Sequence, residues 1–324
     1  MNRIIAITIG DIQGIGIDIL IKTWEERKIK NFILISNIQI LKKYLKKRNI
    51  IPNLNLINKH QQELNFVSNK INVFSYDAES IEDNTYKSLI YGYKLCITKI
   101  CIGLITLPLR KDIIKNKIDK NFVGHTEFFQ KIDKKRYVNM ILFHKKVIIS
   151  PLTTHVELKK VSSLISNKTF IYNQIINLNK SLNIDFNINR PKILISGLNP
   201  HAGENGKIGI EEKKILIPVI KKLQKKGIDI NGPFSADSIL INNNLGKIDC
   251  FIFLYHDQAL IPFKFISKFS GVNYTSNLNI IRTSPDHGTA YDLVGKKNIS
   301  NKSFITCYKL INKIFNNRKL NGKT

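Results

Sequence analysis

The chain has 324 residues, 43% of them hydrophobic; that is room for one large α/β domain or two smaller ones sharing a cleft, and it excludes global disorder. No apolar run reaches the roughly 18–20 residues of a membrane helix, and four cysteines without a CxxC pair, all in apolar contexts, read as free core thiols of a cytoplasmic protein. The net charge of +27 is spread along the chain together with Ile and Asn, and no aromatics interleave with the basic runs; this argues against a nucleic-acid partner and leaves a role in steering anionic substrates.

The N-terminal run Ile4–Ile9 reads as a first strand and not as a signal peptide. It enters GDIQGIG, whose glycine spacing is not GxGxxG, so a tight strand-to-helix turn is the expected structure. Further apolar runs at Phe32–Ser36, Cys101–Thr106, Lys146–Ser150, Lys192–Ser196 and Cys250–Tyr255 read as strands buried on both faces. The alternation with helix-like stretches predicts a mostly parallel sheet flanked by helices. The clearest helix is Gly209–Lys225, with Glu211 and Glu212 in its first turn, lysines toward its end and a kink at Pro218.

The residues just beyond the strands carry the chemistry. Cys101–Thr106 leads to Lys111, Lys146–Ser150 to His155, Lys192–Ser196 to His201, and Cys250–Tyr255 to His256. In parallel α/β sheets ligands bind beyond the carboxyl ends of the strands. Taken singly, each His reads as a hydrogen-bonded structural residue; taken together, three of seven histidines at strand ends read as a metal site. Three neutral imidazoles would leave an ion its full charge and open positions for a substrate oxygen. In FVGHTEFF, His125 and Thr126 read as an ordinary helix start capped by Thr126, or as an anion site. Lys264, Asn273 and Arg282 read as surface residues or, jointly, as a clamp for a phosphate and a carboxylate. The glycines at 197, 203, 206 and 209 suit a loop that cradles a cofactor's phosphates or packs beside its ribose. His60 and His144 read as surface residues without a role.

Read in order, GDIQGIG, TLPLRK, GHTEFF, TTH, GLNPHAGENGKIGIEE, NGPFSADS, YHDQALIPFK, GVN and IRTSPDHGTAYDLVGK resemble the 4-hydroxythreonine-4-phosphate dehydrogenase (PdxA) family of pyridoxal phosphate biosynthesis. The resemblance spans essentially the whole chain. It implies an isocitrate/isopropylmalate-dehydrogenase-like α/β fold. Two α/β/α subdomains, approximately 1–120 with 265–324 and 121–264, would flank an active-site cleft. It implies a homodimer with shared active sites, His256 reaching in from the second subunit. By the resemblance, His155, His201 and His256 hold one divalent ion (zinc, magnesium or cobalt), and His125, Thr126, Lys264, Asn273 and Arg282 bind substrate. Asn199, Gly203 and Asp286 are the positions assigned to NAD or NADP, and Lys111 and Asp237 to proton transfer.

The implied reaction is oxidation and decarboxylation of 4-phosphooxy-L-threonine to 3-amino-2-oxopropyl phosphate, CO2 and NADH. A related dehydrogenase for threonate or erythronate 4-phosphate shares most of these motifs. A non-catalytic binding protein descended from the family is a further alternative, against which the retention of all eight metal and substrate residues speaks. The departures touch scaffold and turns and remove no ligand: the family's GDPAGIGPE reads GDIQGIGID here, TAPINK reads TLPLRK, HDQGLIP reads HDQALIP, and the helix before Cys101–Thr106 reads as shortened.

Overall fold

A computed structural model of the chain describes residues 3–58, 65–241, 245–296 and 298–322; His60 lies outside them. The elements in chain order are β1 (Ile5–Thr8), α1 (Gly16–Glu25), β2 (Phe32–Ile35), α2 (Ile38–Lys47), β3 (Leu54–Asn58), β4 (Ile71–Ser75), α3 (Ile81–Ile97), β5 (Gly103–Thr106), α4 (Lys111–Lys117) and α5 (His125–Ile132). After these come β6 (Met140–His144), β7 (Val147–Pro151), α6 (Leu158–Ile165), α7 (Lys168–Ile184), β8 (Ile193–Ser196), α8 (Ile217–Gln224), β9 (Ile230–Phe234), β10 (Cys250–Phe253), α9 (His256–Ser267), β11 (Val272–Thr275), β12 (Arg282–Pro285) and α10 (Lys302–Leu320). All six strands expected from apolar runs are present, each within two residues of its expected limits.

The chain divides into two compact units, Met1–Asp133 with Asn279–Phe315 and Lys134–Leu278 with Asn316–Thr324. The expected breaks at 120 and 264 lie earlier in the chain. This division places His125 and Thr126 in the first unit and Asn273 in the second.

In the first unit the strand order is β3-β4-β2-β1-β5-β12, and the pairs β3/β4, β4/β2, β2/β1, β1/β5 and β5/β12 are parallel. Every residue of β1, β2 and β5 is buried, as strands covered on both faces require. Helices start where the sequence provides acceptors. The Asn37 side chain accepts from the Gln39 and Ile40 N–H groups at 3.0 and 2.9 Å to open α2, and Ser80 Oγ accepts from the Asp83 N–H at 3.1 Å to open α3. Each such cap contributes about 1 kcal/mol. GDIQGIG is the expected turn: Gly10 has φ +60°, and a Cβ there would lie 2.5 Å from the Pro108 carbonyl oxygen.

In the second unit the order is β11-β6-β7-β10-β8-β9. Here β7, β10, β8 and β9 run parallel, whereas β6 is antiparallel to both β7 and β11. Leu142, Ile149, Leu194, Phe251 and Phe253 from these strands pack with Ala259 and Phe263 of α9 into one core. Buried Asp185 accepts from Tyr274 Oη at 2.6 Å and pairs with Arg318 Nε at 2.7 Å.

Two local expectations are corrected. Expected as one helix from Gly209, the stretch 209–225 becomes helical only at Glu211 and contains a π-helical turn, Glu212–Leu216, that runs without a break into α8 just before Pro218, the kind of local irregularity that accompanies a proline inside a helix. The start of α5 is capped at Gly124, and Thr126 is a buried residue inside the first turn. The four cysteines are free and buried, as expected, and burial pushes all four thiols up. Among the described residues no helix is long and apolar enough to cross a membrane.

Candidate active site

Each unit presents its own cluster. In the first unit the cluster forms beyond β5, where the chain turns through Leu107–Arg110 into α4, and at the starts of α5 and β12. Lys111 is the first residue of α4, His125 and Thr126 are the first two of α5, and Arg282 opens β12. Thr106, the last residue of β5, accepts from Arg282 Nε at 3.0 Å and from Arg282 Nη2 at 2.6 Å. Arg282 is 1% exposed, and its guanidinium lies 5.8 Å from the centroid of the Phe129 ring. Burial lowers its pKa to about 10, so it stays cationic at neutral pH.

Lys111 Nζ comes close to the same place. The position a Cβ would take on Gly124 is 3.2 Å from Lys111 Nζ and 3.0 Å from Glu127 Oε2. Glycine at 124 therefore leaves room for an ammonium and a carboxylate at the start of α5. Desolvation lowers the Lys111 pKa, Glu127 opposes that shift, and the nearby Arg282 charge reinforces it. A lysine tuned downward in this way is suited to proton transfer. Two cations, one fully buried, together with a helix N-terminus suit an anionic group of a ligand. Neither Glu127 nor Thr106 stands out in the sequence. Their signal is tertiary, apart from the acidic residue three positions after a glycine that opens a helix.

In the second unit the three histidines rise from one edge. Strand β10 lies between β7 and β8 and is parallel to both; His155, His256 and His201 come after the carboxyl ends of β7, β10 and β8. The Thr153 Oγ1–H donates to the Leu254 carbonyl at 2.9 Å and ties the segment before His155 to the end of β10. The His155 and His256 rings stand 5.6 Å apart between centroids, inclined by 42°. His256 Nδ1 also lies 2.7 Å from Asp257 Oδ1. The chemistry of this donor set fits a divalent ion. Within one copy it is gathered only in part: among the described residues no three His, Cys, Asp or Glu side chains are close enough together to hold an ion. The resemblance implies that His256 acts from a second subunit, yet in this chain it stands beside His155.

His201 sits on an unusual turn. His201, Ala202, Gly203, Glu204 and Asn205 have φ of 52°, 51°, 78°, 45° and 57°. Left-handed backbone costs roughly 1–2 kcal/mol for each non-glycine residue, so surrounding contacts must hold it. They centre on Glu212, which is 3% exposed. Glu212 Oε1 accepts from the Leu198 and Asn199 N–H groups, both at 2.8 Å, and Oε2 accepts from Asn199 Nδ2 at 2.9 Å. Gly203 presses its bare Cα on this carboxylate: a Cβ there would lie 2.6 Å from Oε2. Gly209, at φ +159°, gives way to Asn199 Nδ2, which would be 2.2 Å from a Cβ. Gln258, two residues past His256, accepts from the Leu254 N–H at 2.8 Å and donates to the Gly197 carbonyl at 3.1 Å. Asn199 and Gly203, expected at the cofactor, thus have internal partners. Two amides of this loop are taken up by Glu212.

The remaining expected residues are scattered over both units. Asp237 is exposed and accepts from Ser235 Oγ at 2.6 Å. That bond holds its carboxyl below the usual range. Lys264, on α9, is exposed, with its ammonium 5.5 Å from the centroid of Phe269. Asn273, on β11, has a buried Oδ1 without a hydrogen-bond partner among the described residues. Asp286 comes directly after β12, its N–H donating to Ser303 Oγ at 2.9 Å. His144 is half-buried rather than a surface residue; its Nδ1 is 3.3 Å from Ser270 Oγ, and burial lowers its pKa.

The family model described as pyridoxal phosphate biosynthetic protein PdxA matches residues 28–311. The chain belongs to the PdxA family. A 4-hydroxythreonine-4-phosphate dehydrogenase from Sulfurihydrogenibium sp. (strain YO3AOP1) is 36% identical over 309 residues, covering 92% of this chain and 94% of that protein. A D-threonate 4-phosphate dehydrogenase from Pectobacterium atrosepticum is 30% identical, covering 90% of this chain and 93% of that one. The solved 4-hydroxythreonine-4-phosphate dehydrogenase from Klebsiella pneumoniae superposes with a TM-score of 0.83 at 29% identity, over 97% of this chain and 98% of its own. The fold is therefore the PdxA fold, of the isocitrate/isopropylmalate-dehydrogenase-like α/β class. Dehydrogenase chemistry is what these PdxA relatives' names carry.

Proposed function

We propose that the chain oxidises and decarboxylates 4-phosphooxy-L-threonine to 3-amino-2-oxopropyl phosphate, CO2 and NADH, as a step toward pyridoxal phosphate. The observation that supports this most directly is the buried, cationic Arg282 beside Lys111 at the start of α5. Such a pair suits the phosphate or the carboxylate of a small dianionic substrate. His125 and Thr126 would add the first N–H groups of α5 and their own side chains to the same anion. Lys264 and Asn273 are the substrate positions of the second unit, and the buried Asn273 Oδ1 lacks a partner that a ligand donor would supply.

A bound divalent ion (zinc, magnesium or cobalt) would polarise the substrate hydroxyl, and NAD or NADP would accept the hydride. His155, His201 and His256 are the residues that would hold the ion, with the set completed across a homodimer. The exposed Ile261, Phe265 and Phe269, on and just after the helix that His256 opens, support a second copy there; Phe265 is 83% exposed. Asp286 and the loop of Asn199 and Gly203 would adjoin the nucleotide. Lys111, with its lowered pKa, would exchange a proton with the substrate. Asp237 stays ionised and serves as an acceptor. Residence in the cytoplasm agrees with four buried free thiols.

The D-threonate 4-phosphate relative motivates a second reading, in which a hydroxyl replaces the substrate's amine. NADH absorbance with 4-phosphooxy-L-threonine, D-threonate 4-phosphate and D-erythronate 4-phosphate, each with and without Co2+, separates the two. A kcat/KM highest for the first compound supports the proposal. Preference for either of the others overturns the substrate assignment, and no NADH from any of them returns the chain to a binding role.

A further inference from the structure

We propose that Glu212 is the positioning residue for His201: its buried carboxylate holds the left-handed turn His201–Asn205 that presents the imidazole beyond β8. The inference rests on the proposed function only for the ion that His201 would bind. The geometry stands by itself. Both oxygens of Glu212 are occupied by the loop that carries His201, through Leu198, Asn199 and the Asn199 side chain. Five successive residues of that loop are left-handed, and four of them are not glycine. Local preference would relax such a run. The fit is also steric: a Cβ on Gly203 would lie 2.6 Å from Oε2, and one on Gly197 would lie 2.9 Å from Ala202 Cα and 3.0 Å from Oε1.

The carboxylate is the needed group for a chemical reason. It meets three N–H donors and offers acceptors at both ends. The amide of Glu212→Gln has the same shape, but it turns an NH2 group toward one of these donor sets. The contacts at that end are then lost and the turn is free to unwind. The neighbouring Glu211 does not substitute, because it is already engaged by Ser162 Oγ at 2.8 Å and by Asn199 Nδ2 at 2.9 Å.

The test uses the full chain, as wild type, Glu212→Gln and Asn199→Ala, with two readouts: hydrogen exchange at the Leu198 and Asn199 amides, and Co2+ affinity by titration. In Glu212→Gln, exchange at these amides should quicken by about ten-fold, as loss of their shared acceptor implies. Co2+ affinity should fall by roughly 10–100-fold, the range seen when a ligand's support is removed. Asn199→Ala removes only the side-chain contact and should weaken Co2+ binding in the same direction by less; it keeps the test decisive if Glu212→Gln does not fold. A folded Glu212→Gln chain with wild-type exchange and wild-type Co2+ affinity overturns the inference. So does a variant that loses thermal stability while Co2+ binding is unchanged, since Glu212 would then be a purely structural residue. If wild type binds no Co2+, the metal reading fails, and the exchange rates still decide whether Glu212 holds the turn.

Discussion

Arg282 donates through two of its nitrogens, at 3.0 and 2.6 Å, to the single hydroxyl of Thr106. The guanidinium is fully buried and cationic, so the first unit carries a desolvated charge next to Lys111. Burying charge opposes folding. A site that retains it gains an anion-binding group in return.

That gain can be separated from stability. Arg282→Met is expected to raise the KM for the phosphorylated substrate at least about ten-fold, as loss of a charge-assisted contact implies, with little change in the KM for NAD. Its unfolding free energy should stay within about 1 kcal/mol of wild type or rise, because an apolar side chain of similar volume replaces a buried ion. Thr106→Val should do the reverse in denaturant titrations and lose roughly 1–3 kcal/mol, because Arg282 keeps its charge and loses an acceptor. A large stability loss in Arg282→Met with unchanged KM would make it a purely structural residue.

The pH profile reports on Lys111. Glu127 raises the Lys111 pKa against the downward pull of burial and of Arg282. Removing that negative charge in Glu127→Gln lets the pKa fall further, so the limb of the pH–rate profile that belongs to Lys111 should move to lower pH. Lys111→Met should abolish that limb. Because burial disfavours protonated Lys111 in the folded chain, its lowered pKa opposes folding below that pKa, and the opposition vanishes above the ordinary lysine value. Lys111→Met should therefore not lower the melting temperature at neutral pH. A limb that stays in place in Glu127→Gln would sever Glu127 from Lys111.

For the second unit, His155→Ala and His201→Ala are expected to remove Co2+-dependent NADH formation after chelator treatment. Both side chains are exposed, so unfolding free energies should stay within about 0.5 kcal/mol of wild type. Near-wild-type activity in either variant would exclude that residue as a ligand.

Arg318→Leu provides a contrast outside both clusters. It leaves the Asp185 carboxylate, 4% exposed, without its ion-pair partner. The expected loss is about 3–5 kcal/mol in denaturant unfolding, as for other broken buried pairs, with substrate KM unchanged at temperatures where the variant is folded. A KM change at full folding would connect this pair to function.

The parallel sheets were readable because β1, β2, β5, β7, β8 and β10 are unbroken apolar runs, a pattern that burial on both faces demands. Strands such as β12, RTSP, and β9, INGPF, carry an Arg or a Gly-Pro pair and give no such signal. The histidines and Lys111 were visible by their place after strands. Glu127 and Glu212 were not, because a helix's first turn attracts carboxylates for the dipole alone. Only the folded chain separates a solvated glutamate from one enclosed by N–H donors. The same holds for Gly124, which displaces Thr126 as the residue that opens α5.

Whether the chain is a dehydrogenase of a phosphorylated small molecule is decided by NADH formation from 4-phosphooxy-L-threonine with added Co2+, in wild type and Arg282→Met side by side. Wild type is expected to form NADH with a stoichiometric release of CO2, and the variant to show a KM raised at least about ten-fold. No NADH from the chelator-treated and Co2+-reloaded wild type, or equal KM values in the two proteins, would contradict it.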